Sequence, residues 1–185
     1  MNHVIRGAIA LSAVFMVASC SSTGSQGFWS AASIDALEAD QPTSAAELAD
    51  RSEVVVRGTI TNVEEGPIDN PAYAGDDFPI VAVEITITQI VDGSYDGDTI
   101  KVIMPRQPTV SVESMKSMMP DEEVLAFVVD SGVEDYYATF SDLSMITTIN
   151  NTVETALDPE STEIVAQDAD TLDEVVDVVE EAIAD

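Results

Sequence analysis

The sequence predicts a small, mainly β domain of the α+β class, with a short N-terminal helix and a C-terminal amphipathic helix. Three observations predict it. The run Glu53-Val-Val-Val-Arg57-Gly58-Thr-Ile60 is rich in β-branched residues, which suit the pleated, half-buried surface of a strand. From Ile80 to Val91 the chain alternates, with Val81, Val83, Ile85 and Ile87 on one face and Ala82, Glu84, Thr86 and Thr88 on the other. That period of two marks a strand with one buried side. Two capping-box spacings, Ser44-x-x-Glu47 and Thr171-x-x-Glu174, bracket this β-rich body and mark helix starts.

Each element then follows in order. The first capping box opens a short helix ending near Asp50, and a strand from Glu53 to Val63 stops at Glu65-Gly66-Pro67. Pro67 to Pro79, with Pro71, Gly75 and the paired Asp76-Asp77, reads as a loop because proline and glycine punctuate regular structure. The alternating strand turns at Asp92–Asp98, and Thr99–Met104 returns as its partner. Pro105, Pro108 and Pro120 interrupt the stretch up to Glu123. Its Met115, Met118 and Met119 either fill the core at a barrel end or form an adaptable apolar surface, both roles that the flexible thioether serves. Val124–Val129 is continuously apolar, as in a buried strand. Tyr136–Phe140 and Met145–Ile149 read as a hairpin. Leu172, Val175, Val176, Val179, Ala182 and Ile183 recur at helical spacing over about 171–184, giving a stripe suited to packing on the sheet.

Composition excludes several functions. Of 185 residues, 35 are Asp or Glu and six are Lys or Arg, a net charge of −29. Such a field repels phosphate and anionic lipid and attracts cations and basic partners, so no nucleic-acid partner is expected. Hydrophobic residues still make up 45%, enough for a folded core. Cys20 is the only cysteine and His3 the only histidine. Beyond Cys20 the chain therefore offers no disulfide, no Cys/His zinc set and no nucleophile–histidine dyad.

The N-terminus has one basic residue, Arg6, then an apolar run from Gly7 to Ala18. That run is shorter than the roughly 20 residues that span a bilayer and has the length of a signal-peptide core. Val17-Ala18-Ser19-Cys20 resembles the lipobox of bacterial lipoproteins. The resemblance implies cleavage between Ser19 and Cys20, lipid on the Cys20 thiol, and a protein held on the extracytoplasmic side of a cell-envelope membrane. Cleavage would leave 166 residues with five basic side chains, Arg6 having gone with the leader. The Ser/Gly-rich segment that follows reads as a flexible tether. Phe28 and Trp29 interrupt it, and either sit at lipid headgroups or dock on the domain. The expected organisation is a signal peptide at 1–19, the lipidated cysteine and tether at 20–43, a β domain at 44–157 and an acidic segment with a helix at 158–185.

The order of "EVVVRGTI", "VAVEITITQIVDGSYDGDTIKVIM", "DEEVLAFVV" and "YYATF" resembles small extracytoplasmic lipoproteins of actinobacterial type with an OB-like or netrin-like β-barrel. The resemblance implies a small OB-like β-barrel. It carries no activity, because fold does not specify function.

Asp92, Ser94, Asp96 and Asp98 are the candidate metal residues. Asp92, Ser94, Asp96 and Gly97 match positions one, three, five and six of an EF-hand loop, but Ile103 stands where the bidentate glutamate belongs. An ordinary Asp/Gly turn explains the same residues; calcium is the one cofactor left open. Acid pairs such as those in Asp121-Glu122-Glu123 are the only feature a hydrolase could use. No P-loop, GxSxG or dinucleotide motif is present. The expected function is a membrane-anchored, non-catalytic binding or interaction module for an envelope protein, peptide or other ligand. A calcium- or cation-responsive surface protein is the alternative, and a carboxylate hydrolase stands third.

Overall fold

A computed structural model describes residues 22–32, 41–67, 79–166 and 169–184. The lipobox, with Ser19 and Cys20, and the Asp76-Asp77 pair lie outside the described residues.

The helices and strands run α1 (Ser22–Ala32), α2 (Ala45–Arg51), β1 (Val54–Glu65), β2 (Ile80–Gly93), β3 (Thr99–Pro105), α3 (Val112–Lys116), β4 (Glu123–Asp130), β5 (Tyr137–Ala138), β6 (Met145–Ile149), β7 (Thr152–Thr155), α4 (Thr162–Val165) and α5 (Leu172–Ile183). Five strands close into a ring. β1 pairs with β2, β2 with β3, β3 with β5 in parallel, β5 with β4, and β4 returns to β1. This is an OB-like β-barrel, which by closing leaves no long sheet edge exposed. One edge of β4 takes β1, and the other is divided between β5 at Val129–Asp130 and β6 at Val124–Ala126.

Closure requires β1 to bend while serving two neighbours. Its register with β2 slips at three points, and such irregularities increase local curvature. Gly58 sits in this bend; a Cβ there would lie 2.2 Å from the Thr86 carbonyl oxygen. Only glycine lets the backbones approach so closely.

Side-chain alternation separates two cores. Val54, Val56, Val83, Ile85, Ile100, Val102, Val124, Ala126 and Val128 fill the barrel. Val55, Leu125, Phe127 and Ile146 point outward, beneath Leu48 of α2 and Leu172, Val175, Val176 and Val179 of α5. Both expected caps form. Ser44 accepts from the Glu47 backbone N–H, although Glu47 returns its carboxylate to Thr43 and not to Ser44. Thr171 and Glu174 complete a reciprocal capping box. The α5 stripe is buried only as far as Val179, and Ile183 is exposed.

Two readings are corrected. The segment read as a tether contains α1, whose Phe28 and Trp29 are 0% and 2% exposed within the barrel core. Of the two roles open to these aromatics, docking on the domain is the one observed. The hairpin also falls elsewhere. β5 pairs with β3 and β4, whereas β6 turns into β7 through Asn150 and Asn151. Both asparagines have positive φ, 54° and 64°, as a two-residue type I′ turn demands.

Candidate functional site

The two ends of the barrel differ in chemistry. At the end where β3 leaves and β4 enters, α1 and α3 form a lid. Gln107 donates to the Ala31 carbonyl from its backbone and to the Ser30 carbonyl from its side chain, each at 2.8 Å. The Ser25 hydroxyl donates to Glu122 at 2.7 Å. Phe28 and Trp29 meet edge to face at 4.9 Å. Met115 is fully buried, and Met118 and Met119 pack against the same core. The methionines therefore serve the barrel end.

At the opposite end, where β1 begins, β2 finishes and β4 passes to β5, lies an open pocket of about 490 Å³. Its lining includes Tyr95, Tyr136 and Tyr137 with Glu53, Asp130, Glu134 and Asp135. Tyr95 and Tyr137 pack edge to face, 5.8 Å between centroids, and both rest on the barrel core. The Tyr95 hydroxyl donates to the Thr99 carbonyl at 2.6 Å, which fixes its ring. Burial raises the Tyr95 pKa, with Asp135 adding to the effect; burial raises that of Tyr137, with Glu53, Tyr95 and Asp130 adding to it. Both phenols therefore stay neutral beside a negative rim.

The loop between β4 and β5 is held by its own hydrogen bonds. The Asp130 backbone donates to Glu53, and the Gly132 backbone donates to the Asp130 side chain. The buried Ser131 hydroxyl donates to the Tyr136 carbonyl at 2.7 Å and accepts from the Val133 N–H at 3.1 Å. These bonds hold the pocket wall in place. All four carboxylates of the lining are exposed.

The candidate metal residues are not gathered. Asp92 lies within β2 opposite Val55, while Ser94, Asp96 and Asp98 sit in the exposed turn beyond it. The Asp98 carbonyl accepts from the Ile87 N–H. Among the described residues, no group of three or more His, Cys, Asp or Glu side chains is placed to hold a metal. The Asp121–Glu123 cluster is engaged structurally at two of its members. Glu122 accepts from Ser25, and Glu123 accepts from Arg57 and Thr88. Arg57 also pairs with Asp173, joining the barrel to α5.

Sequence reading passed over the pocket because its residues stand at 53, 95 and 130–137 and meet only when the barrel closes. One local signal was present: Asp130-Ser131-Gly132 is a side-chain-capped turn, placed directly before the acid–tyrosine run Glu134-Asp135-Tyr136-Tyr137.

No protein-family model matches the chain, and no curated protein matches its sequence.

Proposed function

We propose that this protein is a cell-envelope lipoprotein, anchored through lipid on Cys20, whose barrel is a non-catalytic binding module. One observation carries the reading: α1 begins two residues after Cys20 and packs into the barrel end opposite the pocket. An extended chain advances at most about 3.6 Å per residue, so Ser22 lies within roughly 7 Å of the anchor point. The lidded end then faces the bilayer closely, and the tyrosine-lined end is presented outward. Lipid attachment with several acyl chains makes such an anchor lasting, since each buried methylene contributes about 0.8 kcal/mol. The excess of acid suits a basic partner and repels anionic surfaces.

The test is replacement of Cys20→Ser in the native envelope. Loss of the acyl mass, with release of the protein from washed membranes, supports the anchor. An intact chain lacking any acyl mass in the unsubstituted protein overturns it. Capture of partners should use a chain that retains α1, because a fragment from Ser44 onward lacks the barrel lid.

A further inference from the structure

We infer that the pocket between Tyr95 and Tyr137 binds an organic cation, a guanidinium or alkylammonium group. The inference rests on reading the chain as a binding module, and it names what the outward end of the barrel takes.

The aromatic walls come first. Three tyrosines line one cavity, and two of them are fixed by the edge-to-face contact and by the Tyr95 hydrogen bond. Aromatic faces attract cations through their quadrupole, and the molecule makes one such contact on Tyr136, with a cation from outside the pocket lining. The Lys101 ammonium, held by Glu64 at 2.6 Å, stands 5.6 Å from the centroid of Tyr136.

Charge is the second point. Among the described residues no basic side chain lines the cavity, whereas Glu53, Asp130, Glu134 and Asp135 do. These carboxylates lie around the rim and do not converge as metal ligands would. A compact hard cation needs oxygens gathered at one point; a large, weakly hydrated guanidinium suits dispersed acceptors and a flat aromatic wall. The lining is mainly polar, which disfavours an apolar ligand. Shape is the third point. The loop 131–136 is fixed by its own bonds, so little ordering cost accompanies entry of a small cationic group.

The test uses the lipidated full chain, ¹⁵N-labelled, in dodecyl maltoside at fixed ionic strength. The probes are blocked Gly-Arg-Gly and Gly-Lys-Gly peptides, choline, the neutral Gly-citrulline-Gly analogue and calcium chloride. Saturable shifts confined to Tyr95 and residues 130–137, given by the cations and not by citrulline, support the inference. A larger response to the peptides identifies a protein side chain as the source, and a larger response to choline identifies a free small molecule. Tyr137→Leu should weaken binding about fivefold, the factor one cation–π contact supplies. The surface pair Glu134→Gln with Asp135→Asn should weaken it similarly and covers the case in which Tyr137→Leu does not fold. Equal response to citrulline, shifts scattered without saturation, or the same localised shifts with calcium overturn the inference. None of these results bears on the acyl mass, so failure here is distinct from failure of the anchor.

Discussion

The two ends of the barrel are closed by different means. At one end α1 and α3 seal the core with Phe28, Trp29 and Met115, all 2% exposed or less. At the other, half-buried tyrosines cover the core and four lining carboxylates face water. The first arrangement maximises apolar burial and the second leaves a shaped, charged surface. The contrast teaches that one barrel can bury its core at one end and leave a shaped, charged surface at the other, with the hydrogen-bonded ladder between them.

The largest expected effect comes from the sealed end. Trp29→Ala should cost about 3–5 kcal/mol, the range for emptying a buried aromatic site, measured by urea unfolding. The indole Nε1 is buried without a hydrogen-bond partner among the described residues. Trp29→Phe should therefore lose much less than Trp29→Ala, and equal losses would show that the indole nitrogen matters. The second effect sharpens the comparison at the open end. Gly93 has φ of 80°, and a Cβ there would stand 2.3 Å from the Glu53 carbonyl oxygen. Gly93→Ala should cost about 1–3 kcal/mol, showing that the backbone beneath the polar rim is itself sterically fixed. A thermal melt unchanged by Gly93→Ala would refute that rigidity. The smallest concerns the flank. Removing the Thr171 cap of α5 by Thr171→Ala should cost about 1 kcal/mol, in a chain that keeps both ends intact.

What sequence reading captured follows from which forces are local. The Val81–Ile87 alternation and the Thr171–Glu174 box are set by neighbours along the chain, and both stand in the structure. α1 was not legible. Its sequence, Ser-Thr-Gly-Ser-Gln-Gly-Phe-Trp-Ser-Ala-Ala, has weak helix propensity, and an isolated helix of that length is marginal in water. Packing of Phe28 and Trp29 against strands far along the chain holds it. β5 has only two residues, too few for any periodicity, and exists because the barrel must close between β3 and β4. The β6–β7 turn was legible in principle, since consecutive asparagines suit a two-residue hairpin loop. The pocket was not, because no local rule links Glu53, Tyr95 and Tyr137.

The seat of α1 has a mechanical consequence. On the anchored reading, tension between the membrane and anything held at the far end enters the molecule through α1. That helix is fastened by side-chain packing and a few hydrogen bonds, the Gln107 pair among them, whereas β1 is fastened along its length by two neighbouring strands. The weakest joint in the load path is thus the helix seat, so strain is released there before any strand of the barrel parts.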